Sequence, residues 1–252
     1  MSLAVTYARE DGVAVITLNR PHARNALNRA VLDGLWEALH RFDADDDAKV
    51  MVLTGAGDAF CAGADLRELR TLGGREEMPD YPVLGTNIHV AKPVIAAVNG
   101  VAYGGGFVLA QMCDLCVAAD HARFAVAEAR WGRTMVGNAP LLPMIPPRVA
   151  MELFLTAEPI DAERAHQIGL VNRVFPAEGL REGALAMARV IAGNAPLSVR
   201  AAKAMVAAAI NGPAKELRAV AEEVFAPVFA SEDAREGPRA FAEGRPPRWT
   251  GR

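Results

Sequence analysis

Hydrophobic and polar positions alternate along the first half of the chain in short blocks that predict strands and helices in turn. Residues 3–18 predict two strands that turn at Asp11-Gly12, the second covering Val13–Leu18. Apolar and β-branched runs predict further strands at Lys49–Thr54, Pro93–Val98, Leu115–Ala119 and Arg123–Val126. Helical periodicity separates them, from an N-cap at Asn28 to about Ala44, after Asp65, before Ala91 and from Gly105. This alternation predicts the α/β class, with mostly parallel strands and right-handed crossovers.

After Pro147 the pattern changes to an Ala-rich helical periodicity. The candidate helices lie near Val149–Thr156, Asp161–Gln167, Glu178–Asn194, Leu197–Ile210, Ala214–Phe229 and Ser231–Phe241. Their apolar faces exceed what a separate helical tail could hide, so we expect this half to pack on the first half or on another subunit. Between Leu72 and Pro82, glycines, prolines and charged residues predict a loop.

The first chemical signal lies in Val98–Asp114, where an apolar strand runs into three glycines, Gly104–Gly106, that open an apolar helix. Backbone N–H groups at such a junction point outward, and the helix dipole adds positive charge there. The junction can therefore hold an anion or a developing oxyanion. A second glycine-bearing turn, Ala59–Leu66, follows the strand at 49–54. Two such turns brought together offer two backbone donors to one oxygen, as stabilisation of a thioester enolate requires.

Two other interpretations of the glycines stay open, a phosphate-binding loop and a purely structural turn. The chain has no GxxxxGK[ST] motif, and no GxGxxG motif is followed by an acidic ribose partner at the expected distance. These absences disfavour nucleotide binding but leave the structural turn as a competitor.

Composition narrows the class of protein further. With 27 basic and 30 acidic residues among 252, the charge balance predicts no nucleic-acid partner. No apolar run is long enough to span a bilayer and the amino terminus does not resemble a secretory signal, so we expect a cytoplasmic protein that is not bound to membranes. Cys61, Cys113 and Cys116 cannot all pair and show no ligand spacing with histidine, which predicts buried thiols and no metal.

Seven motifs, in order along almost the whole chain, resemble the crotonase, or enoyl-CoA hydratase/isomerase, family. They are Leu18-Asn19-Arg20-Pro21 with Asn25-Ala26-Leu27, Phe60–Leu66, Lys92–Gly100, Gly104–Gly106, Cys113-Asp114, Ile168–Val171, and the tail from Glu236-Gly237 through Phe241 to Arg245. A single one of these motifs would be weak evidence, whereas the ordered set is specific.

The resemblance implies an α/β fold, a spiral of β-β-α units with a C-terminal helical trimerisation region. It implies a catalytic, acyl-CoA-binding core over residues 1–195 and a helical region over residues 196–252 that packs on the core and on neighbouring subunits. A homotrimer or a dimer of trimers is expected. The substrate it implies is an acyl-CoA thioester, and no cofactor is expected because coenzyme A is part of the substrate.

By the same resemblance, the oxyanion donors fall on the backbone N–H groups of Ala64 and Gly105, in the two glycine turns. The adenine and pantetheine ends of coenzyme A are expected near Arg24, Ala26, Ala62, Asp65 and Leu66. Arg245 is placed to reach a CoA phosphate, because a guanidinium matches phosphate geometry. For Arg24 and Arg245 the competing interpretation is a solvated surface charge.

One departure from the family pattern changes the expected chemistry. Family hydratases carry two catalytic glutamates, and here the first position is Val108 and the second is Glu128. A valine cannot transfer a proton, so the hydratase pair is incomplete. A single carboxylate suffices for a proton shuttle, and Δ3,Δ2-enoyl-CoA isomerases of the family resemble this arrangement. Burial should raise the pKa of Glu128, which suits a base that returns its proton.

The leading hypothesis is therefore an enoyl-CoA isomerase in which Glu128 moves the proton and Val108, Trp131 and Met135 shape the acyl pocket. Hydration by Glu128 alone is an alternative. Others are a CoA-thioester hydrolase, decarboxylase or ring-cleaving enzyme, and a non-catalytic acyl-CoA-binding protein. The side chains considered as substitutes for the missing acid are Glu68, Tyr81, His89 and Asp114.

Overall fold

The computed structural model describes residues 3–70, 80–132, 136–211 and 217–252, and within them the strands form two sheets. The strands are β1 (Val5–Glu10), β2 (Val13–Leu18), β3 (Val50–Gly55), β4 (Ala59–Cys61), β5 (Val94–Val98), β6 (Val101–Tyr103), β7 (Leu115–Ala119), β8 (Arg123–Ala125), β9 (Ile160–Asp161) and β10 (Arg173–Phe175). The α-helices are α1 (Arg29–Ala44), α2 (Leu66–Leu69), α3 (Gly105–Gln111), α4 (Pro147–Thr156), α5 (Ala162–Gln167), α6 (Leu180–Ala192), α7 (Pro196–Asn211), α8 (Leu217–Ala230) and α9 (Asp233–Ala242).

The larger sheet has the strand order β1-β2-β3-β5-β7-β10, and the smaller has the order β4-β6-β8-β9. In the larger sheet only the β1–β2 hairpin is antiparallel, and every other pair is parallel. In the smaller sheet, β4, β6 and β8 are parallel and β9 is antiparallel to β8. The prediction of mostly parallel strands is confirmed.

The chain visits the two sheets alternately. β3 lies in the larger sheet, β4 in the smaller, and α2 follows; β5, β6 and α3 repeat the same order, and β7 and β8 begin a third round. This repeat is the spiral of β-β-α units implied by the family resemblance. Its consequence for the site is that the turns after β4 and after β6, which precede α2 and α3, lie side by side.

The apolar pattern explains why both faces of the larger sheet are covered. In β5, Val94, Ala96 and Val98 belong to the main core with α1, whereas Ile95 and Ala97 face the apolar side of α6. All five residues are buried, as expected for a parallel strand covered by helices on both faces. Helix α1 begins where predicted, because the side chain of Asn28 accepts a hydrogen bond from the Val31 N–H.

The C-terminal helices return to the core of the same chain. The ammonium group of Lys203 on α7 donates to the carbonyl of Lys92 at 2.9 Å and pairs with Asp114 at 2.8 Å. The indole N–H of Trp249 donates to the Gly193 carbonyl at the end of α6. These contacts hold both ends of the helical region to the β-β-α spiral.

Several sequence predictions can be compared with these elements. Helices predicted at Val149–Thr156, Asp161–Gln167 and Glu178–Asn194 are confirmed within about two residues at each end, the usual uncertainty of helix boundaries. The prediction of a helix before Ala91 is wrong for the described residues 80–90. They include a turn that is closed by a bridge between Leu84 and Ile88. The loop predicted between Leu72 and Pro82 lies largely outside the described residues.

Cys61, Cys113 and Cys116 are all buried free thiols, as predicted. Burial raises the pKa of Cys61 and of Cys116 to about 12, so these thiols stay protonated at neutral pH. Among the described helices, none is long and apolar enough to cross a membrane.

Candidate active site

The structure brings the two glycine turns into backbone contact. A Cβ atom on Gly106 would lie 2.2 Å from the carbonyl oxygen of Cys61, and one on Gly63 would lie 2.7 Å from that of Tyr103. Gly63 also has a φ of +95°, which L side chains rarely adopt. These two positions therefore require glycine. The close packing of the two turns is compatible with the oxyanion binding that the sequence predicts for them.

Two backbone donors, the N–H groups of Ala64 and Gly105, lie at this contact. Beside Ala64, Leu27 donates to the Gly63 carbonyl at 2.8 Å and Asp65 donates to the Leu27 carbonyl at 3.0 Å, which leaves the Ala64 N–H outside the pairing. Gly105 is the first residue of α3, where N–H groups have no partner inside the helix. The described part of the chain supplies an acceptor for neither N–H.

Asp65 holds the first of these turns in place. Its carboxylate caps α2 by accepting from the N–H groups of Arg67 and Glu68, and it pairs with Arg20 at 3.1 Å. Burial acts to raise the pKa of Asp65, but the Arg20 contact and the two backbone donors outweigh it, and the pKa is lowered. The Asp65 carboxylate is therefore occupied with ordering the residues around Ala64.

Glu128 lies on the opposite side of the second turn, at the start of a 3-10 helix, Glu128–Trp131. A Cβ on Gly104 would lie 3.5 Å from its Oε1, so the carboxyl group packs against the beginning of α3. Burial raises the pKa of Glu128, although its own backbone N–H and the Asn138 side chain act in the opposite direction. The predicted rise is confirmed in direction and in cause.

An amide side chain connects Glu128 to α3. Nδ2 of Asn138 donates to Oε1 of Glu128 at 2.9 Å, and Nε2 of Gln111 donates to Oδ1 of Asn138 at 2.8 Å. Asn138 and Gln111 are both buried. Oε2 of Glu128 is also buried and has no hydrogen-bond partner in the described part of the chain. One carboxylate oxygen is thus fixed and the other is unpaired.

Val108 is the residue on which, by the family resemblance, the first glutamate of a hydratase is expected to fall. It is buried, and a Cβ on Gly137 would lie 3.3 Å from its Cγ2. Gly137 belongs to a second 3-10 helix, Val136–Leu141, which carries no charged residue, and neither does α3. Neither of the two elements that meet at Val108 brings a charged side chain to it.

The acyl side of the site is described in part. Tyr81 lies over the start of α3, since a Cβ on Gly105 would lie 3.1 Å from its ring and 3.5 Å from its hydroxyl. The backbone of Trp131 ends the 3-10 helix that begins at Glu128. The Trp131 side chain and Met135, both expected in the acyl pocket, lie outside what the structure describes.

Most of the residues expected to bind coenzyme A lie near Ala64. The Arg24 carbonyl accepts from the Ala62 N–H at 3.0 Å, and the Ala26 carbonyl accepts from the Arg20 guanidinium at 2.7 Å. Leu66 and Arg24 are exposed, and Arg24 adopts a left-handed backbone with a φ of +48°.

Arg245 lies in the C-terminal tail. Its guanidinium pairs with the buried carboxylate of Glu236 at 2.7 Å and with Glu243 at 2.6 Å. Arg239 pairs with the same Glu236. These contacts lower the pKa of Glu236 and raise that of Arg245, so both stay charged. A phosphate would therefore compete with two carboxylates for this guanidinium.

The other candidate acids are distributed around the site. Glu68 accepts from the Arg29 N–H at the start of α1, and His89 is exposed. Asp114 accepts from the Val94 N–H and pairs with Lys203, so it orders backbone as expected. No cluster of three or more potential metal ligands occurs in the described ranges.

Sequence reasoning did not find Asn138 and Gln111. Gln111 ends an otherwise apolar helix, and a polar residue in such a position is a signal that it has a buried partner. Asn138 lies in an irregular segment with no periodicity, and 27 residues separate the two. Their pairing depends on the tertiary fold.

The chain is similar to known proteins over almost its whole length. The family model described as "Enoyl-CoA hydratase/isomerase" matches residues 8–252. The "Probable enoyl-CoA hydratase echA8" of Mycobacterium tuberculosis is 39% identical over 248 residues, 97% of this chain and 96% of the relative. The "Carnitinyl-CoA dehydratase" of Citrobacter koseri is 37% identical over 266 aligned positions, and the alignment covers 100% of both chains.

Solved structures show the same similarity in three dimensions. A probable enoyl-CoA hydratase/isomerase from Mycobacterium abscessus has a TM-score of 0.90 at 41% identity, with 100% of both chains covered. An enoyl-CoA hydratase from Bacillus anthracis has a TM-score of 0.91 at 31% identity, covering 99% of this chain and 100% of the other.

Proposed function

The chain belongs to the enoyl-CoA hydratase/isomerase family of enzymes, and from that premise we propose that it is an enoyl-CoA isomerase with Glu128 as its single proton-transfer carboxylate. The observation that carries the proposal is the contrast between two positions beside the oxyanion turn. Glu128 packs against Gly104 with a raised pKa, whereas Val108 is buried against Gly137. Of these two positions, only Glu128 offers a group that can carry a proton.

In the proposed reaction the thioester carbonyl oxygen of a 3-enoyl-CoA accepts hydrogen bonds from the N–H groups of Ala64 and Gly105. The hydrogen bonds from these donors strengthen as negative charge develops on the oxygen. Because the backbone fixes the donors before the substrate binds, they need no reorientation during the reaction. They are supported by the Gly63 turn and by Asp65, which caps α2 immediately after Ala64.

Glu128 then removes a proton from C2 and the electron pair enters the conjugated dienolate. The same proton is returned to C4, the double bond moves from C3–C4 to C2–C3, and the carboxylate is regenerated. No atom is gained or lost. A raised pKa suits both steps, because a base that binds its proton too weakly cannot remove it from carbon.

Coenzyme A is proposed to lie along the Arg24, Ala26, Ala62, Asp65 and Leu66 backbone next to Ala64. The exposed Arg24 is the stronger candidate for a phosphate contact, because Arg245 is already neutralised by Glu236 and Glu243. Val108, Trp131 and Met135 are proposed to shape the acyl pocket. No cofactor beyond the coenzyme A of the substrate is proposed.

We also propose that residues 196–252 join neighbouring subunits in a homotrimer or a dimer of trimers, and that the enzyme works in the cytoplasm. Large apolar side chains on this region are exposed in the single chain, among them Val206, Ile210, Phe229 and Phe241. Burying such surface is the usual driving force for assembly.

A second candidate is hydration of a 2-enoyl-CoA by Glu128 alone. The names of the similar proteins favour it, since several are called enoyl-CoA hydratases. Against it stands Val108, which offers no second group to hold and polarise the water.

Steady-state assays separate the two candidates. The purified enzyme is given a 3-enoyl-CoA and, separately, crotonyl-CoA, each with the wild type and with Glu128→Gln. The proposal expects double-bond migration that exceeds hydration by at least about 100-fold and is lost in Glu128→Gln. Efficient hydration of crotonyl-CoA would favour the second candidate, and turnover that survives Glu128→Gln would contradict both.

A further inference from the structure

We infer that Asn138 is a positioning residue for the base: its side-chain amide, held by Gln111 from helix α3, fixes Oε1 of Glu128 and leaves Oε2 to take and return the proton. The inference rests on the proposed function only in naming Glu128 as the base. The positioning itself stands on two hydrogen bonds, on the burial of Asn138 and Gln111, and on the burial of the Oε2 atom of Glu128.

The hydrogen bonds from Gln111 to Asn138 and from Asn138 to Glu128 connect the base to α3, the helix that also carries the proposed oxyanion donor Gly105. Gly105 is the first residue of α3 and Gln111 the last, about 9 Å apart along the axis. From Gln111 the chain returns through Asn138 to Glu128, whose carboxyl group packs on Gly104 at the start of that helix. The distance between the proton carrier and the enolate oxygen is thereby set by one short rigid element.

The hydrogen bond from Asn138 decides which oxygen carries the proton. With the proton on Oε2, Oε1 is a carbonyl oxygen and still accepts from Nδ2 of Asn138. With the proton on Oε1, an O–H would face the Asn138 N–H and the bond would be lost. The proton from the substrate carbon therefore binds Oε2, the electron pair stays on the substrate as the dienolate, and the O–H bond breaks when the proton returns to carbon.

Burial of Oε2 has a second consequence. This oxygen is out of contact with solvent and lacks a partner among the described residues. A buried acceptor without a partner is unfavourable as an anion, so it gains more from a proton than an exposed oxygen does. A proton held there is also shielded from exchange with water, as a transfer within one substrate molecule requires.

The charged and titratable groups around Glu128 do not replace Asn138. Neither α3 nor the 3-10 helix Val136–Leu141 carries any, and Arg130 on the turn of Glu128 pairs with Glu158 at 2.6 Å. Among the described residues, the titratable groups on adjoining elements include Tyr81 near Gly105, Tyr103 on β6, Arg123 on β8, and Arg148 and Glu152 on α4. None of these groups contributes to the pKa of Glu128, whereas the hydrogen bond from Asn138 lowers it against the larger effect of burial.

The test is a carboxyl titration of the resting enzyme by 13C NMR, with glutamate side chains labelled and the Glu128 signal assigned by its loss in Glu128→Gln. Asn138→Leu keeps the side-chain volume and removes the donor. We expect the titration midpoint of Glu128 to move up by about one pH unit, because a hydrogen bond that favours the carboxylate is lost. With a 3-enoyl-CoA, kcat should fall about 10- to 100-fold and KM should change less than about 3-fold.

Gln111 supplies the second variant and a coupling test. Gln111→Leu should move the midpoint in the same direction by less, and the double variant should match Asn138→Leu, because Gln111 acts through Asn138. Asn172→Leu is the matched control: it removes an asparagine that accepts from the Cys116 N–H at 2.8 Å, and it should leave the midpoint in place. If Asn138→Leu does not fold, the Gln111→Leu midpoint decides.

An unchanged midpoint in Asn138→Leu, or in Gln111→Leu where that variant decides, would overturn the inference, as would additive effects in the double variant. A shifted midpoint in a protein without isomerase activity would support the positioning and contradict the proposed function. The two can therefore fail separately.

Discussion

Val108 and Gly137 face each other so closely that a Cβ on Gly137 would lie 3.3 Å from Cγ2 of Val108. The valine side chain thus takes up the space that a side chain at residue 137 would need, where α3 meets the 3-10 helix Val136–Leu141. We expect a longer side chain at residue 108 to meet the backbone of this 3-10 helix.

Introducing the missing glutamate should therefore not produce a hydratase. In Val108→Glu, the new carboxyl group meets Gly137 and finds no charged partner on α3 or on the facing 3-10 helix. We expect the free energy of unfolding to fall by about 2–4 kcal/mol at pH 7, with no gain in crotonyl-CoA hydration. Chemical denaturation and the hydration assay measure the two effects. Val108→Ala is the control that removes packing without adding a charge, and a stable, faster hydratase would contradict this view of the space.

The raised pKa of Glu128 makes a prediction about stability against pH. The pKa of Glu128 is higher in the folded than in the unfolded protein, so at pH values between these two pKa values the folded state binds more protons. The stabilisation that this protonation provides is lost as pH rises through the folded pKa. Glu128→Gln has no such dependence. The unfolding free energy of the variant, relative to that of the wild type, should therefore increase from pH 4 to pH 8 in urea titrations. A constant difference would mean that Glu128 is not desolvated.

Gly63 should be needed for both folding and catalysis. Gly63→Ala forces a side chain into a φ of +95° and places Cβ 2.7 Å from the Tyr103 carbonyl oxygen. We expect the free energy of unfolding to fall by about 2–4 kcal/mol. We also expect kcat to fall, because the distorted turn of the variant moves the Ala64 N–H out of position. Gly12→Ala is the matched control, since Gly12 also has a positive φ, +76°, but its nearest atom would lie at 3.6 Å. Equal effects of the two substitutions on kcat would contradict a role for the Gly63 turn in the site.

The two arginines considered for coenzyme A should behave differently. Arg24→Ala should raise KM about 5- to 10-fold for a CoA ester and leave KM unchanged for the pantetheine thioester of the same acid, because only the former carries the nucleotide phosphates. Arg245→Ala should mainly lower the melting temperature, since Arg245 holds the buried Glu236 in the tail. A large KM effect in Arg245→Ala, specific to the CoA ester, would place the phosphate contact there instead.

The sequence predicted those parts of the molecule whose signals are local. Asn28 caps α1 as expected, and the alternation of strands and helices correctly predicted mostly parallel strands. The two glycine turns lie in backbone contact, and their role as an oxyanion site stays a prediction. Glu128 and Val108 were identified through the family resemblance, which implies that the two glutamates of a hydratase fall on these positions.

The remaining features depend on contacts between distant segments. The bond between Asn138 and Gln111 joins an irregular segment to a helix, and nothing in either segment specifies the other. The helix predicted before Ala91 was wrong because residues 84–88 close a turn through the bridge between Leu84 and Ile88. Arg245 looked like a free cation in the sequence, and only the fold reveals the buried Glu236 next to it.

The central claim, that one carboxylate moves one proton within the substrate, is tested most directly by isotope transfer. The enzyme is incubated in heavy water with a 3-enoyl-CoA, and the product is analysed by NMR and mass spectrometry after a single turnover. We expect a 2-enoyl-CoA that carries less than one deuteron at C4, because the buried Oε2 of Glu128 returns part of the original proton, and no product with Glu128→Gln. One full deuteron at C4, a 3-hydroxyacyl-CoA as the main product, or turnover that persists in Glu128→Gln would contradict this mechanism.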